Sequence, residues 1–403
     1  MTLPTNTLLS PQLARWAQGT ERSTIQDMLA ILSRPDVLSL ALGLPAAEFF
    51  PTAQIGKAIA QVLSNDPRAL QYEAPIRRLK TQIVALMARR GVTCTEDEVF
   101  LTAGAQQGMS LVSRLLVDPG ASVVVEDLAY SGFLQAIAPF EPTLLTVPSD
   151  VEKGIDVEAV ERRITEATPH PRLIYAISDG HNPLGVSMSL DNRRRLVEIA
   201  RAHRVPILED DAYGFLSYDD APRPPLRSFD DRWVIYLGSF SKILAPALRA
   251  GWLVAPRELI APLSVIKESS DIDTCTLAHR CISQLLSTGM LAGHLDALRD
   301  AYRARRNAML AALTACFPGE ARWVSPSAGM FVWVELPEQV DTMRLLDAAL
   351  ETERVAFLPG QAFWVKGGPR PRHGMRLNFS NCAPDRITEG VLRLGRALAS
   401  LRG

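Results

Sequence analysis

The 403-residue sequence lacks several features that mark specialised classes of protein. Its formal net charge is −1, so it has neither the basic excess that favours nucleic acids nor an acidic excess for a cationic partner. No run of about 18 uninterrupted apolar residues occurs, and the N-terminus has no basic start followed by a long apolar run. We therefore expect no membrane span, no signal peptide and no nucleic-acid partner.

Cysteine is scarce, and its placement excludes a common kind of metal site. The number is odd, no two cysteines lie two residues apart, and none sits beside a histidine pair. The pattern predicts reduced thiols, a cytoplasmic location and no zinc site. The five residues are Cys94, Cys275, Cys281, Cys316 and Cys382.

Lysine is scarce as well, with six residues against 37 arginines. A guanidinium stays protonated at biological pH, whereas an amine can lose its proton and attack a carbonyl. Lys242 lies just after a predicted strand, in YLGSFSKILAPALRAGWLV (236–254), and is a candidate for that chemistry. A solvated surface position is the alternative interpretation of Lys242. The remaining lysines are predicted to be solvated: Lys57, Lys80, Lys153, Lys267 and Lys366.

Between about residues 100 and 255, short apolar runs alternate with amphipathic runs. The apolar runs predict strands at 99–104, 122–127, 143–148, 173–178, 205–211, 233–239 and 251–256. Nearly continuous apolar runs suit strands covered on both faces, and their alternation with helices predicts an α/β domain with a mostly parallel sheet. The later sequence predicts a smaller α+β domain. We expect an N-terminal arm over 1–45 that packs with the small domain, a large domain over 46–285 and the small domain over 286–403.

Polar residues follow four of the predicted strands, and ligands of open parallel sheets bind beyond the carboxyl ends of the strands. Gly104, Ala105 and Gln106 stand where a helix begins, so their backbone N–H groups could bind a phosphate, or could form a simple turn. Asn182 precedes a proline and could donate to a ligand oxygen, or could be a turn residue.

The other two strand ends are charged. Asp210 ends a buried strand, where a carboxylate needs a cationic partner. Its acidic neighbours, Glu209 and Asp211, raise magnesium as an alternative, but no further acidic cluster or Walker-type loop supports a metal site. Ser239, Ser241 and Arg249 provide two hydroxyls and a fixed cation, a set suited to a phosphate.

Together these four stretches describe one ligand, with a phosphate, a basic ring nitrogen, a ring oxygen and a carbonyl. Pyridoxal phosphate meets all four requirements. The chain resembles the fold-type I pyridoxal-phosphate enzymes, in particular class I/II aminotransferases of the 2-aminoadipate aminotransferase and MocR-related kind. The resemblance rests on LSLALGLPAAEFFP (38–51), LQY (70–72), GAQQGMSLVSRLLVDPG (104–120), VEDLAYSG (125–132), HNPLG (181–185), EDDAYGFL (209–216), GSFSKILAPALRAGW (238–252) and MRLNFS (375–380).

The resemblance implies a three-layer, aspartate aminotransferase-like fold and roles for the cofactor site. Lys242 would form the Schiff base, Asp210 would keep the pyridine nitrogen protonated, and Tyr130 would stack on the ring. Tyr213 and Asn182 would bind the ring oxygen. The implied phosphate ligands are Ala105, Gln106, Ser239, Ser241 and Arg249, beside Gly104.

The resemblance also implies substrate and subunit contacts. Arg376 would clamp the α-carboxylate of an amino acid with its planar fork, with Gly43 and Asn182 also in the substrate site. Tyr72 would reach the phosphate of a neighbouring subunit, which implies a homodimer with shared active sites. The expected activity moves an amino group from an α-amino acid to a 2-oxo acid.

Two departures from the family pattern concern the substrate. YEAPIRRLK (72–80) replaces a Gly-Pro-Thr-Glu-Gly segment, and Gln26 stands where relatives that act on acidic amino acids carry Arg. We therefore discount 2-aminoadipate as the substrate. Elimination, replacement or cyclisation of a functionalised amino acid remains the alternative activity. A non-catalytic sensor would need an added DNA-binding domain, for which no room is expected before Ser23.

Overall fold

A computed structural model describes residues 13–18, 34, 36–219 and 222–402 of the protein. The prediction for Gln26 lies outside these residues, as does most of the expected 1–45 arm. The strands are β1 (Leu38–Ser39), β2 (Val99–Thr102), β3 (Ser122–Glu126), β4 (Thr143–Val147), β5 (Ser149–Asp150), β6 (Gly154–Ile155), β7 (Leu173–Ala176), β8 (Ile207–Asp210), β9 (Val234–Ser239), β10 (Gly251–Val254), β11 (Arg322–Trp323), β12 (Phe331–Glu335), β13 (Val355–Ala356), β14 (Leu358–Pro359) and β15 (Gly374–Asn378). The α-helices are α1 (Thr52–Asn65), α2 (Arg77–Ala88), α3 (Ala105–Leu116), α4 (Ser131–Ile137), α5 (Val157–Glu166), α6 (Leu190–His203), α7 (Arg257–Asp271), α8 (Thr276–Ser287), α9 (Leu291–Cys316), α10 (Thr342–Ala348) and α11 (Pro384–Arg402).

The large sheet contains the seven strands predicted between residues 99 and 256, each within two residues of the expected bounds. Its order is β2-β10-β9-β8-β7-β3-β4. Strand β10 runs antiparallel to both of its neighbours, and the remaining pairs are parallel. The predicted α/β fold with a mostly parallel sheet is confirmed.

Both faces of this sheet are covered, which explains why its strands are almost continuously apolar. Val125 belongs to the same hydrophobic cluster as Met109 of α3, whereas its neighbour Val124 belongs to another cluster, which includes Leu196 of α6. Alternate residues of a strand therefore enter different cores, as expected for three layers. Full burial of a valine contributes about 1.5–3 kcal/mol, so both faces stabilise the fold.

A second sheet lies in the C-terminal part, with strand order β11-β12-β15-β14 and antiparallel pairing. Its neighbouring helices α9 and α11 pack against each other. Strand β1 pairs with β13, through Leu38 with Val355 and Ser39 with Ala356, so the chain before α1 joins this part. No helix among the described residues is long and apolar enough to cross a membrane. The domain bounds stay predictions.

The sheet brings distant residues to one edge. Strands β8 and β9 end at Asp210 and Ser239 on that edge because they run in parallel. Antiparallel β10 begins there, with Gly251 opposite Ser239 and Thr102. The chain segments around Gly104, Asp210, Lys242 and Arg249 therefore converge.

Candidate active site

A cavity of about 360 Å³ lies at this edge of the sheet. Twelve of the fourteen predicted site residues line it: Gly43, Ala105, Gln106, Tyr130, Asn182, Asp210, Tyr213, Ser239, Ser241, Lys242, Arg249 and Arg376. Gly104 lies next to it, since a Cβ atom there would stand 2.8 Å from Arg249 Nη2. Tyr72 is placed elsewhere.

Lys242 presents its amine to the cavity. Its Nζ donates a hydrogen bond to the Gly43 carbonyl oxygen over 2.8 Å. Burial lowers the pKa of Lys242 to about 8, and the nearby Arg376 and Arg249 guanidinium groups contribute to that lowering, against the opposing effect of Asp210. The amine thus loses its proton far more readily than an ordinary lysine, as a nucleophile or a base requires.

The buried carboxylate of Asp210 has a hydrogen-bond partner at only one of its two oxygens. Its Oδ2 accepts a hydrogen bond from the Tyr175 hydroxyl over 2.8 Å. Its other oxygen, Oδ1, is buried and has no partner anywhere in the described part of the chain. Burial raises the pKa of Asp210 to about 6. An unpartnered buried carboxylate oxygen is costly, and a ligand donor or cation would relieve that cost.

The acids on either side of Asp210 are bound by protein groups. Asp211 accepts hydrogen bonds from Arg90 and from the Tyr236 hydroxyl, both at 2.9 Å. Glu209 accepts from Ser178 Oγ at 2.6 Å and from two backbone amides. The three acids therefore do not form a shared magnesium site, because their carboxylates have separate partners.

Arg376 on β15 is a buried cation without a carboxylate partner among the residues that the structure describes. Its Nη1 and Nη2 donate to Asn182 Oδ1 and to the Ala41 carbonyl oxygen, both at 2.6 Å. Its guanidinium lies between Phe331 and Phe363, 4.0 and 4.7 Å from the ring centroids. Burial lowers the pKa of Arg376 to about 9. Two aromatic faces and two acceptors hold the planar group in one orientation.

The opposite end of the cavity is built to receive an anion. Helix α3 begins at Ala105, and Gly104 before it has φ 82°, a conformation that favours glycine. Arg249 has φ 43°, unusual for a non-glycine residue, and its Nη2 lies 3.3 Å from the Ala103 carbonyl oxygen. Ser241 N–H donates to Ser239 Oγ at 3.1 Å. A helix N-terminus, two serines and an arginine thus lie close together.

The charges around this cavity do not balance. Among the lining residues that the structure describes, Lys242, Arg249 and Arg376 are cationic and Asp210 alone is acidic. Two tyrosines, Tyr130 and Tyr213, also face it, and burial raises the pKa of each above its ordinary value. The cavity therefore favours a ligand with an anionic group at each end.

Tyr72 differs from the other predicted site residues. Its side chain is 74% exposed and lines a separate cleft of about 520 Å³. The altered segment around it is held by an ion pair between Glu73 and Arg280 and by a hydrogen bond of 3.5 Å from Glu73 N–H to Asp273. Within this single chain, Tyr72 therefore does not contribute to the cavity around Lys242.

The prediction that Lys267 is solvated is wrong. Its side chain is 9% exposed, and its Nζ lies 2.7 Å from Asp271 Oδ1, four residues later on α7. The same carboxylate accepts from Gln107 Nε2 at 2.6 Å. The i,i+4 spacing to an acid was visible in the sequence, but the burial of that helix face was not.

Sequence reasoning missed the side chains that support the predicted ones. Tyr175 bonds to Asp210, yet its stretch was interpreted only as a strand. Phe331 and Phe363 hold Arg376, yet they lie in the predicted small domain and were given no role. The sequence could have indicated a role for Tyr175, because a phenol within a buried apolar strand needs a hydrogen-bond partner for its hydroxyl. Nothing in the sequence distinguishes the two phenylalanines from ordinary core residues.

The chain matches a known family over most of its length. The family profile described as aminotransferase class I and II matches residues 35–394. Aromatic-amino-acid aminotransferase 1 of Thermococcus litoralis is 35% identical, over 95% of this chain and 93% of that protein. The crystal structure of Pyrococcus horikoshii kynurenine aminotransferase has a TM-score of 0.91 and 32% identity, over 97% of this chain and 98% of that one.

A second solved structure carries a cofactor derivative. Alpha-aminoadipate aminotransferase LysN of Thermus thermophilus, complexed with N-(5'-phosphopyridoxyl)-L-leucine, has a TM-score of 0.89 and 35% identity, over 97% of this chain and 98% of that one. With the match of the family profile, this similarity confirms the resemblance stated from the sequence motifs. The protein belongs to the class I and II aminotransferases.

Proposed function

We propose that the protein is a pyridoxal-phosphate-dependent aminotransferase that moves an amino group between an α-amino acid and a 2-oxo acid. One observation carries the proposal: a single cavity holds a lysine of lowered pKa and a buried carboxylate with an unpartnered oxygen. Relatives named as aminotransferases over nearly the whole chain support the same activity.

The residues of the cavity fit pyridoxal phosphate. Asp210 Oδ1, buried and unpartnered, would accept a hydrogen bond from the protonated pyridine nitrogen. Asn182 accepts from Arg376 through Oδ1, which leaves its amide N–H₂ group, with the Tyr213 hydroxyl, to donate to the ring oxygen. Tyr130 would stack on the ring. The phosphate, which carries a charge of about −1.5 to −2, would offset the excess of positive charge.

The phosphate would bind at the end of the cavity where α3 begins. The proposed ligands are the backbone N–H groups of Ala105 and Gln106, the hydroxyls of Ser239 and Ser241, and the Arg249 guanidinium. Gly104 would allow Arg249 to lie close to the turn, because a Cβ atom there would stand 2.8 Å from its Nη2.

When bound, pyridoxal phosphate supplies an aldehyde that attaches amines and a ring that accepts electrons from the substrate carbon. Lys242 Nζ would hold the cofactor covalently and, once displaced by the substrate amine, would move a proton from the substrate Cα. A pKa of about 8 suits both tasks near neutral pH. Asp210 would keep the ring nitrogen protonated.

Arg376 would bind the α-carboxylate of the substrate. The guanidinium is already held by Phe331, Phe363 and Asn182, so little orientational freedom is lost on binding. The Gly43 carbonyl, which accepts from Lys242, lies in the same cavity and would border the substrate. Gln26, the residue that disfavours 2-aminoadipate as the substrate, lies outside the described residues, so its effect stays a prediction from the sequence.

The proposed activity can be tested on the purified holoenzyme. Borohydride reduction should fix the cofactor to Lys242, so that peptide mass spectrometry finds the label there and on none of the other five lysines. An amino acid should then bleach the absorbance of unreduced enzyme, and a 2-oxo acid should restore it. Lys242→Ala should retain cofactor binding but lose turnover.

The same experiment separates the alternative reactions. Elimination, replacement or cyclisation would consume a functionalised amino acid without a 2-oxo acid, and no 2-oxo acid would restore the absorbance. Label on another lysine, or full activity of Lys242→Ala, would contradict the proposal. Enzyme that is colourless yet active without added pyridoxal phosphate would also contradict it.

We further infer a homodimer with shared active sites, supported by the exposed position of Tyr72 away from the cavity of its own chain. Light scattering should give twice the chain mass. Tyr72→Ala and Lys242→Ala proteins, each impaired alone, should regain activity when refolded together, since one site of the mixed dimer has both residues. No recovery despite mixed dimers would show that the sites are not shared.

A cytoplasmic location is supported by the five cysteines, all of which are free thiols in the structure. Cell fractionation of a tagged protein should recover it with the cytoplasmic fraction. Recovery from an exported fraction would contradict this inference.

A further inference from the structure

The Asp210 carboxylate is held by a residue that does not line the cavity. Tyr175 lies on β7, next to β8, and its hydroxyl donates to Asp210 Oδ2 over 2.8 Å. The Tyr175 side chain is enclosed in the core between sheet and helices, with 3% exposure. This hydrogen bond occupies Oδ2, and Oδ1 is the oxygen left without a partner in the described structure.

A second contact fixes the phenol ring. Tyr175 stacks on Phe133 with ring centroids 3.9 Å apart and an angle of 2° between the planes. Phe133 belongs to helix α4, whose N-cap residue is Tyr130 in the cavity wall. The Tyr175 hydroxyl is therefore held at its position by packing as well as by the hydrogen bond.

We propose that Tyr175 is a positioning residue that orients Asp210 and keeps it ionised, and so keeps the pyridine nitrogen of the bound cofactor protonated. The inference rests on the proposed function. A hydrogen bond donated to a carboxylate stabilises its charged form, so the proton stays on the nitrogen rather than passing to Asp210. Without the donor, Asp210 becomes the stronger base and is free to rotate.

Several other groups act on Asp210, and their effects do not duplicate that of Tyr175. Asp211 disfavours the charge on Asp210, whereas His181 and Lys242 favour it electrostatically without a hydrogen bond to it in the described structure. His181 lies 2.8 Å from Glu126, and Lys242 donates to Gly43. Tyr130 and Tyr213 also face Asp210; burial raises the pKa of each, and the charge of Asp210 adds to that rise. Tyr175 alone among these donates to the carboxylate.

The chain contains a matched control for removing this hydroxyl. Tyr236 on β9 is also fully buried, and its hydroxyl donates to the adjacent acid, Asp211, over 2.9 Å. Asp211 does not line the cavity and keeps its bond to Arg90. Tyr236→Phe therefore removes a buried phenol–carboxylate hydrogen bond while the hydrogen bond from Tyr175 to Asp210 stays in place.

The experiment compares holoenzymes reconstituted with pyridoxal phosphate labelled with ¹⁵N in the ring. Wild type and Tyr236→Phe should show the ¹⁵N resonance of a protonated pyridine. Tyr175→Phe should move the resonance toward the unprotonated position, weaken cofactor binding roughly tenfold, and lower kcat with little change in KM. Phe133→Leu, which loosens the ring but keeps the hydroxyl, should cause a smaller shift in the same direction.

The outcomes separate the inference from the proposed function. An unchanged resonance in Tyr175→Phe, or an equal shift in Tyr236→Phe, would overturn the positioning role while leaving the activity intact. Failure of the wild-type protein to bind the cofactor at Lys242 would overturn both. In an Asp210→Asn background, Tyr175→Phe should have no further effect on cofactor affinity, and an additive effect would contradict the coupling.

Discussion

Two groups of buried charged residues meet at the end of β8, and they differ in how far the protein itself balances their charges. Asp211 belongs to a closed network in which Arg90 bridges it to Asp179, at 2.9 and 3.0 Å, and Arg193 binds Asp179 from the other side at 2.5 Å. Among the residues that the structure describes, the hydrogen bonds of this network join two cations and two anions. Asp210, the adjacent residue, faces a cavity with three cations and no other acid among its described lining residues.

Aspartate thus has a structural role at position 211 and a ligand-binding role at position 210. Burial disfavours the charge on Asp179, but Arg193 and Arg90 outweigh it and hold its pKa below the ordinary value. Burial raises the pKa of Asp210 to about 6, because no protein cation is bonded to it in the described structure. A carboxylate whose charge is balanced inside the protein stabilises the fold, whereas one left unbalanced is completed by a ligand.

The largest expected effect comes from breaking the closed network. Arg90→Met leaves Asp211 and Asp179 with one guanidinium instead of two, and both are buried. Removing one partner of a buried ion pair typically costs about 3–5 kcal/mol, so we expect a loss of that size in the free energy of unfolding. Denaturant unfolding of the cofactor-free protein measures it.

The control for this prediction is a cation from the cavity. Arg249→Met removes positive charge from a region that has an excess of it, so the cofactor-free protein should unfold at nearly the wild-type denaturant concentration. An equal loss of stability in the two variants would mean that the cavity and the network do not differ in the way described.

The second prediction concerns the affinity of the cavity for pyridoxal phosphate. Arg249→Met should weaken binding of pyridoxal phosphate roughly 10- to 100-fold, since charge-assisted hydrogen bonds to a phosphate are worth about 1.5–3 kcal/mol. Fluorescence titration of the cofactor-free protein measures the affinity. Pyridoxal, which lacks the phosphate, should bind both proteins equally; an equal loss for pyridoxal would place the effect of Arg249 elsewhere.

The position of the cavity and the strands that form its edge could be predicted from the sequence. Strand ends in a parallel sheet meet at one edge, so Asp210, Asn182, Ser239 and Lys242 were expected to converge. The strand bounds followed from near-continuous apolar runs, whose residues fill the cores on the two faces.

The closed network was beyond sequence reasoning for a physical reason. Arg90 lies just after the end of α2 and reaches Asp211 across 121 residues, and Arg193 lies in the core with 0% exposure. Arginine at either position is indistinguishable from a solvated surface residue by pattern alone. Lys267 was misinterpreted for the same reason, because its burial depends on how α7 packs and not on local periodicity.

The smallest effect is a pH dependence whose sign differs between Asp210 and Asp179. Burial raises the pKa of Asp211 as it does that of Asp210, so Asp179 is the member of the network that shows the opposite sign. The unfolded pKa of Asp is about 3.9, and the folded pKa of Asp210 is raised to about 6. Its contribution to stability is thus present below about pH 4 and is lost as pH rises to about 6. Relative to wild type, cofactor-free Asp210→Asn should therefore become more stable over that interval, as measured by denaturant unfolding at several pH values.

Asp179 supplies the opposite case, because its folded pKa is lowered. Its contribution is present above the unfolded pKa and is lost as pH falls through the folded value, so Asp179→Asn should be least stable relative to wild type at neutral pH. With cofactor bound, the advantage of Asp210→Asn should disappear, since the pyridinium supplies the missing cation. If both variants showed the same sign without cofactor, Asp210 would already be balanced by the protein, and the cavity would have no need of a cationic ring.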